Sequence, residues 1–189
     1  MSFAGDAPPA FAIRLDERCH LRLLEENDAD ELYALIAANR EMLARWMPWA
    51  ATQTREDVLD FIRRGRRQWA ANEGFQAGVI EDGALAGSIG FGALSWPNRS
   101  VAIGYWLGAA AQGRGTMTRA VAALVRYAFE IYRLHRVEIR VGTENGRSRA
   151  IPERLGFTHE GTLRGAEWLN ERFIDHAVYG LLVQEWRGH

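Results

Sequence analysis

The stretch from Val101 to Leu107 alternates as a strand, passes through Ala109 to Gln112, and runs into Gly113-Arg114-Gly115-Thr116-Met117-Thr118 at the head of an amphipathic helix. No other feature narrows the fold as far. Small residues are placed there where backbone must approach something closely. The N–H groups at the helix start have no partner one turn back and sit at the positive end of the helix dipole. They make a cradle for phosphate oxygens, to which Arg114 adds formal charge. An ordinary tight strand-to-helix turn has an equal claim on the same residues. The segment is not a dinucleotide fingerprint, since a third spaced glycine and a suitably placed acidic residue are missing. Nor is it a P-loop, because all 23 basic side chains of the chain are arginines and none is lysine.

The same lack of lysine excludes a pyridoxal Schiff base. A formal charge of −1, from 23 basic and 24 acidic side chains, provides no electrostatic footprint for nucleic acid. With 189 residues, 48% hydrophobic and 25% charged, the chain has the size and composition of one globular domain with a sizeable core. No apolar run reaches membrane-spanning length, and the opening residues lack the pattern of a signal peptide. The single cysteine, Cys19, cannot form an internal disulfide and suits a reducing compartment. The expectation is therefore a cytoplasmic protein, neither exported nor membrane-bound. Residues 1–11 read as a loose leader and 12–189 as the domain.

Hydrophobic period divides the domain. Residues 11–24 alternate around Asp16-Glu17-Arg18, as two strand segments and a turn. Asp28 to about Trp46 has helical spacing, with Asp28 and Glu31 resembling a capping box and Pro48 as the stop. Thr54 to Trp69 is a second helix; its Arg63, Arg64, Arg66 and Arg67 read as a solvated face, with an anionic partner as the alternative. Phe75 to Leu107 is a three-stranded meander with turns at Glu81-Asp82-Gly83 and Trp96-Pro97-Asn98-Arg99. Thr116 to Tyr132 is a buried helix, Arg136 to Val141 a strand, and a polar loop leads to a short helix ending at Leu155. Phe157 to Leu163 and Phe173 to Val183 are strands joined by a polar hairpin over 164–172. The whole is one α/β domain with a mixed sheet.

Gln112-Gly113-Arg114-Gly115 resembles the pyrophosphate loop, Gln-x-x-Gly-x-(Gly/Ala), of the GNAT N-acetyltransferases. Asn145-Gly146-Arg147-Ser148-Arg149-Ala150 and Leu155-Gly156-Phe157 are similar to that superfamily's later segment. Leu21-Arg22-Leu23, Trp46-Met47-Pro48-Trp49, Gly104-Tyr105-Trp106-Leu107 and Glu167-Trp168-Leu169-Asn170, with Asp175 and Tyr179, resemble its RimJ/RimL branch, which acetylates N-termini of ribosomal proteins. The likeness runs from about Ala12 to Trp186. It departs at Met117, which takes the loop's last Gly/Ala position, and between Ile151 and Phe157, where many GNAT enzymes carry a tyrosine that serves as acid.

The resemblance implies a GNAT fold, a mixed and mostly antiparallel sheet with two splayed parallel strands, and acetyl-coenzyme A between the strands ending at Leu107 and Val141. Trp106 and Leu107 would pair with pantetheine. Gln112, Gly113, Arg114, Gly115, Thr116 and Met117 would form the pyrophosphate cradle, with Asn145 and Arg147 holding from the far side. Glu167 is the candidate base, and Ser148, also suited to capping its helix, the candidate acid. Trp46 and Trp49 would wall the acceptor cleft or pack in the core. Transfer is expected to be direct, with Cys19 buried. The five histidines show no ligand spacing, so each is read as structural or exposed and no metal is expected. The acceptor is expected to be a protein N-terminus. The rival readings are a small amine, polyamine or aminoglycoside in type, or a module that binds acetyl-coenzyme A without turnover. A homodimer is left open.

Overall fold

The computed structural model describes residues 11–92 and 94–188. Eight strands form one sheet: β1 (Ala12–Arg14), β2 (Cys19–Leu23), β3 (Phe75–Glu81), β4 (Ala84–Phe91), β5 (Ser100–Leu107), β6 (Arg136–Gly142), β7 (Thr158–Leu169) and β8 (Arg172–Leu182). Their spatial order is β1-β2-β3-β4-β5-β6-β8-β7. Every neighbouring pair is antiparallel except β5 and β6, which pair in parallel only at Ser100↔Arg136, Val101↔Val137 and Ala102↔Glu138. Beyond Ala102, β5 stays with β4 as far as Leu107, while β6 stays with β8 as far as Gly142. The two strands thus part, as the GNAT resemblance implied.

Five α-helices cover the sheet: α1 (Ala29–Ala38), α2 (Arg40–Ala44), α3 (Arg55–Ala70), α4 (Thr116–Arg126) and α5 (Gly146–Arg154). Consecutive strand residues face opposite ways. Val79 accordingly joins a core cluster with Val121, Leu124 and Val125 of α4, whereas Ile80 joins Leu32, Ile36, Val58 and Ile62 of α1 and α3. Helices therefore lie on both faces.

Several local expectations need correction. The helix expected from Asp28 to Trp46 breaks at Asn39, whose side chain donates to the Leu35 carbonyl (2.8 Å) and accepts from the Ala109 N–H (2.8 Å), a tertiary tie. The capping box uses Glu25 and Asp28, and Glu31 instead accepts from the Leu85 N–H at 2.6 Å. The helix from Thr116 turns to π geometry over Tyr127–Ile131. The polar hairpin expected over 164–172 is strand as far as Leu169, with the turn confined to Asn170 and Glu171, both at positive φ. The expected leader also ends sooner: Phe11 is buried against Trp69, Phe75 and Tyr127, because a phenyl ring gains more from that aromatic cluster than from water. The remainder of the leader lies outside the described residues.

Candidate active site

The cradle comes from backbone geometry. Gly113 and Gly115 sit at φ +82° and +74°, in the left-handed region that side chains disfavour, and a Cβ on Gly113 would meet nothing within 4 Å. Gly115 then caps α4, and the first N–H groups of that helix have no partner one turn back. Met117 is 5% exposed and packs in the core, so its bulk is directed away from the cradle. Thr116 is buried too. Arg114 folds back, donating to the Ala110 carbonyl at 2.7 Å and pairing with Glu81 at 3.2 Å.

Two motifs far apart in sequence meet here. Gln112 Nε2 donates to the Leu107 carbonyl (3.0 Å), and its Oε1 accepts from Arg147 (3.1 Å). Asn145 caps α5 by accepting from the Ser148 N–H at 3.2 Å. Ser148 Oγ donates to Tyr105 Oη at 3.3 Å, and Tyr105 Oη donates to the Ser148 carbonyl at 3.0 Å. Tyr105 thereby reaches from β5 to α5. Burial pushes its hydroxyl up to about 12, against the opposing pull of Ser148, so it stays protonated at neutral pH.

Where the strands part lies a cleft of about 600 Å³. Trp46, Trp49, Trp106, Tyr105, Asn145, Ser148, Glu167 and His176 line it, together with Arg64 and Arg140. The Trp49 and Trp106 rings lie 6.1 Å apart. Glu167 is the one carboxylate on this lining. It arrives there through a bulge: the β7–β8 register shifts between Leu163 and Glu167, and the Asp175 carboxylate clamps the extra residues by accepting from the Gly165 N–H at 2.8 Å. Glu167 Oε2 then lies 3.2 Å from His176 Nε2.

Thus Trp46, Trp49, Trp106, Asn145, Ser148 and Glu167 share one cleft, whereas Leu107, Gln112 to Met117 and Arg147 lie off its lining, with Gln112 tying Arg147 to the Leu107 end of β5. The sequence reading assigned no part in the site to Tyr105 or His176. Strand alternation, which puts His176 on the face of Ile174, could have suggested the second, but not its partner. Cys19 lines no part of the cleft, and burial pushes its thiol up to about 11.

A parallel pair that opens beside a glycine-built helix start, over a cleft carrying paired hydroxyls and a carboxylate, is an arrangement suited to group transfer. A model of the acetyltransferase (GNAT) domain matches residues 18–158, and the chain belongs to that family. It is an acetyl-coenzyme A-dependent N-acetyltransferase. The chain is 38% identical over 180 residues to the provisionally named ribosomal N-acetyltransferase YdaF of Bacillus subtilis (strain 168), covering 94% of this chain and 98% of that one. It is 28% identical over 172 residues to the ribosomal-protein-serine acetyltransferase of Escherichia coli (strain K12), covering 90% and 96%. Among solved structures it resembles the microcin C7 self-immunity acetyltransferase MccE in complex with acetyl-CoA and AMP, with a TM-score of 0.87, 29% identity and coverage of 93% and 98%. Among the described residues no helix is long and apolar enough to cross a membrane, and no cluster of three or more His, Cys, Asp or Glu side chains could hold a metal ion.

Proposed function

We propose that the acceptor is the N-terminal α-amino group of a protein, a ribosomal protein on the pattern of the relatives. One observation carries this reading: the cleft presents a single carboxylate, Glu167, against two guanidinium groups, Arg64 and Arg140, and opens along free strand edges. A polyamine or aminoglycoside would call for several carboxylates, whereas an extended peptide needs backbone edges to pair with.

Acetyl-coenzyme A supplies the acetyl group as a thioester. Gly113 to Met117 would hold its pyrophosphate through backbone N–H groups, with Gln112, Asn145 and Arg147 beside them, and the open edge of β5 beyond Ala102, which includes the Leu107 N–H, would pair with its amide-rich arm. The fit rests on the two glycines at positive φ and on the unpaired stretch of β5 beyond Ala102. Backbone N–H groups on that edge would polarise the carbonyl under attack. Arg114, tied to Glu81, would contribute chiefly through its backbone.

An α-amino group has a reference pKa of about 7.7–8.0, against about 10.4 for lysine, so a modest base suffices near neutrality. Glu167 would take the amine's proton, and Ser148 Oγ, turning its one proton from Tyr105 to the departing sulfur, would give it up and recover one from solvent. Trp46 and Trp49 would wall off the acceptor side. Direct transfer is favoured because the only thiol, Cys19, is buried and held protonated.

Purified protein given acetyl-coenzyme A and peptides beginning with Ser or Ala is expected to release free thiol well above hydrolysis and to add one acetyl group to the peptide N-terminus, read by mass. Release with polyamines or aminoglycosides alone would overturn the peptide reading. No release from any amine in a broad panel would point to a binding module.

A further inference from the structure

We propose that His176 acts with Glu167 as a two-residue proton acceptor for the attacking amine. The proposal rests on the placing of Glu167 as base and adds a residue to it.

The two side chains come from neighbouring strands and face the same cleft, with Nε2 and Oε2 3.2 Å apart. Both are shielded, at 19% exposure for His176 and 33% for Glu167. The bulge that brings them together is built for that position: without the shift between Leu163 and Glu167, held by Asp175, the β7 side chain opposite Ile174 would be another residue. A lone carboxylate is a poor store for a proton near pH 7, whereas imidazole changes charge between about pH 5 and 8. Once a proton reaches Glu167 Oε2 it lies in the 3.2 Å gap to Nε2, where the Nδ1–H tautomer of His176 can accept it. As the amine attacks, its N–H bond breaks and a proton passes to a Glu167 oxygen and on to Nε2. Carboxylate plus neutral imidazole becomes carboxylate plus imidazolium, an ion pair formed at the distance the two groups already hold. The proton leaves to solvent after turnover.

Other charges near the ring are accounted for. On β6, Arg140 lines the same cleft and is held by Glu138 at 2.6 Å. On β8 itself, Asp175 is engaged with Gly165, and Arg172 pairs with Glu144 at 2.7 Å. Across the cleft stands Arg64 of α3, with no ion-pair partner among the described residues. Glu167 is thus the one carboxylate lining the cleft with His176.

The test is H176Q, whose side-chain amide can still hydrogen-bond Glu167 but cannot carry the proton. The expected result is a fall in kcat on the order of tenfold to a hundredfold, with the KM for acetyl-coenzyme A unchanged. On the acid side, the slope of log kcat/KM against pH is expected to drop from about two, set by amine and imidazole, to about one, set by the amine alone. Wild-type kcat and slope in H176Q would overturn the proposal and assign His176 a structural part. If E167Q were then still impaired, the single-base reading of Glu167 would stand; if E167Q turned over normally as well, that reading would fail too. Should H176Q fold poorly, 15N NMR of the imidazole in wild type and E167Q decides the question: a titration indifferent to E167Q overturns the pair, and one displaced by it supports the pair.

Discussion

β5 has two edges, and the molecule treats them in opposite ways. Toward β4 the strands run antiparallel from Gly87↔Leu107 to Phe91↔Ile103, so tightly that a Cβ on Gly87 would lie 2.2 Å from the Trp106 carbonyl oxygen. Toward β6 pairing stops after Ala102 and the remaining edge opens on the cleft. The same residues are therefore held rigidly on one side and left available on the other. A strand fixed by one neighbour can offer its second set of backbone groups to a ligand without first having to be ordered, and that ordering is the usual cost of binding. The closed half of the sheet supplies stiffness, and the open half supplies the site.

The comparison breaks most severely if the closed edge is forced apart. Gly87→Val sets side-chain atoms against the Trp106 carbonyl and the Leu107 backbone, neither of which can yield cheaply. We expect a loss of stability of about 3 kcal/mol or more, read as a lower urea midpoint, with acetyl-coenzyme A binding lost alongside.

A smaller effect tests the anchor at the far end of the closed half. Burial would raise the Asp28 carboxyl, but the two-pronged guanidinium of Arg22, at 2.6 and 2.8 Å, and the Glu25 N–H outweigh it and hold the group below its ordinary value. A carboxyl lowered in the folded state contributes stability that is fully present above the ordinary carboxylate range and is lost as pH falls from there through the group's own lowered value. Asp28→Asn is expected to cost about 2 kcal/mol at pH 7 and less at pH 3, where the contribution has begun to be lost, measured by urea unfolding at both values. An equal cost at the two pH values would show that the ion pair is not what anchors β2 to the start of α1.

The smallest effect falls on the open half. Gly115→Val strains a residue at φ +74° and crowds only the flexible end of Arg119. We expect the KM for acetyl-coenzyme A to rise about tenfold, equivalent to ~1.4 kcal/mol, with a modest loss of stability. If KM held while stability fell, the cradle would be a turn and nothing more.

Much of this was legible along the chain, and unevenly so. The meander, α3 from its start at Thr54, and the strand-turn-helix around Gly113 and Gly115 follow from period and turn residues, which act within a few positions. The break at Asn39 was not legible, because its cause is a hydrogen bond to Ala109, 70 residues away. The bulge before Glu167 reads as part of a polar hairpin, since Gly165 and the polar residues up to Arg172 interrupt the strand pattern whether or not the strand continues.

The sequence by itself determined most of the helices and strands though not all their limits, where the glycines permit a tight strand-to-helix turn, and that motifs of this family are present; each depends on local propensity or on a short run of residues. Only the tertiary structure decided that β5 and β6 part after three pairs, that Tyr105 meets Ser148 across 43 positions, and that Glu167 faces His176. Those juxtapositions arise when strands remote along the chain choose neighbours and register, and that choice minimises the energy of the whole packed sheet rather than of any one segment.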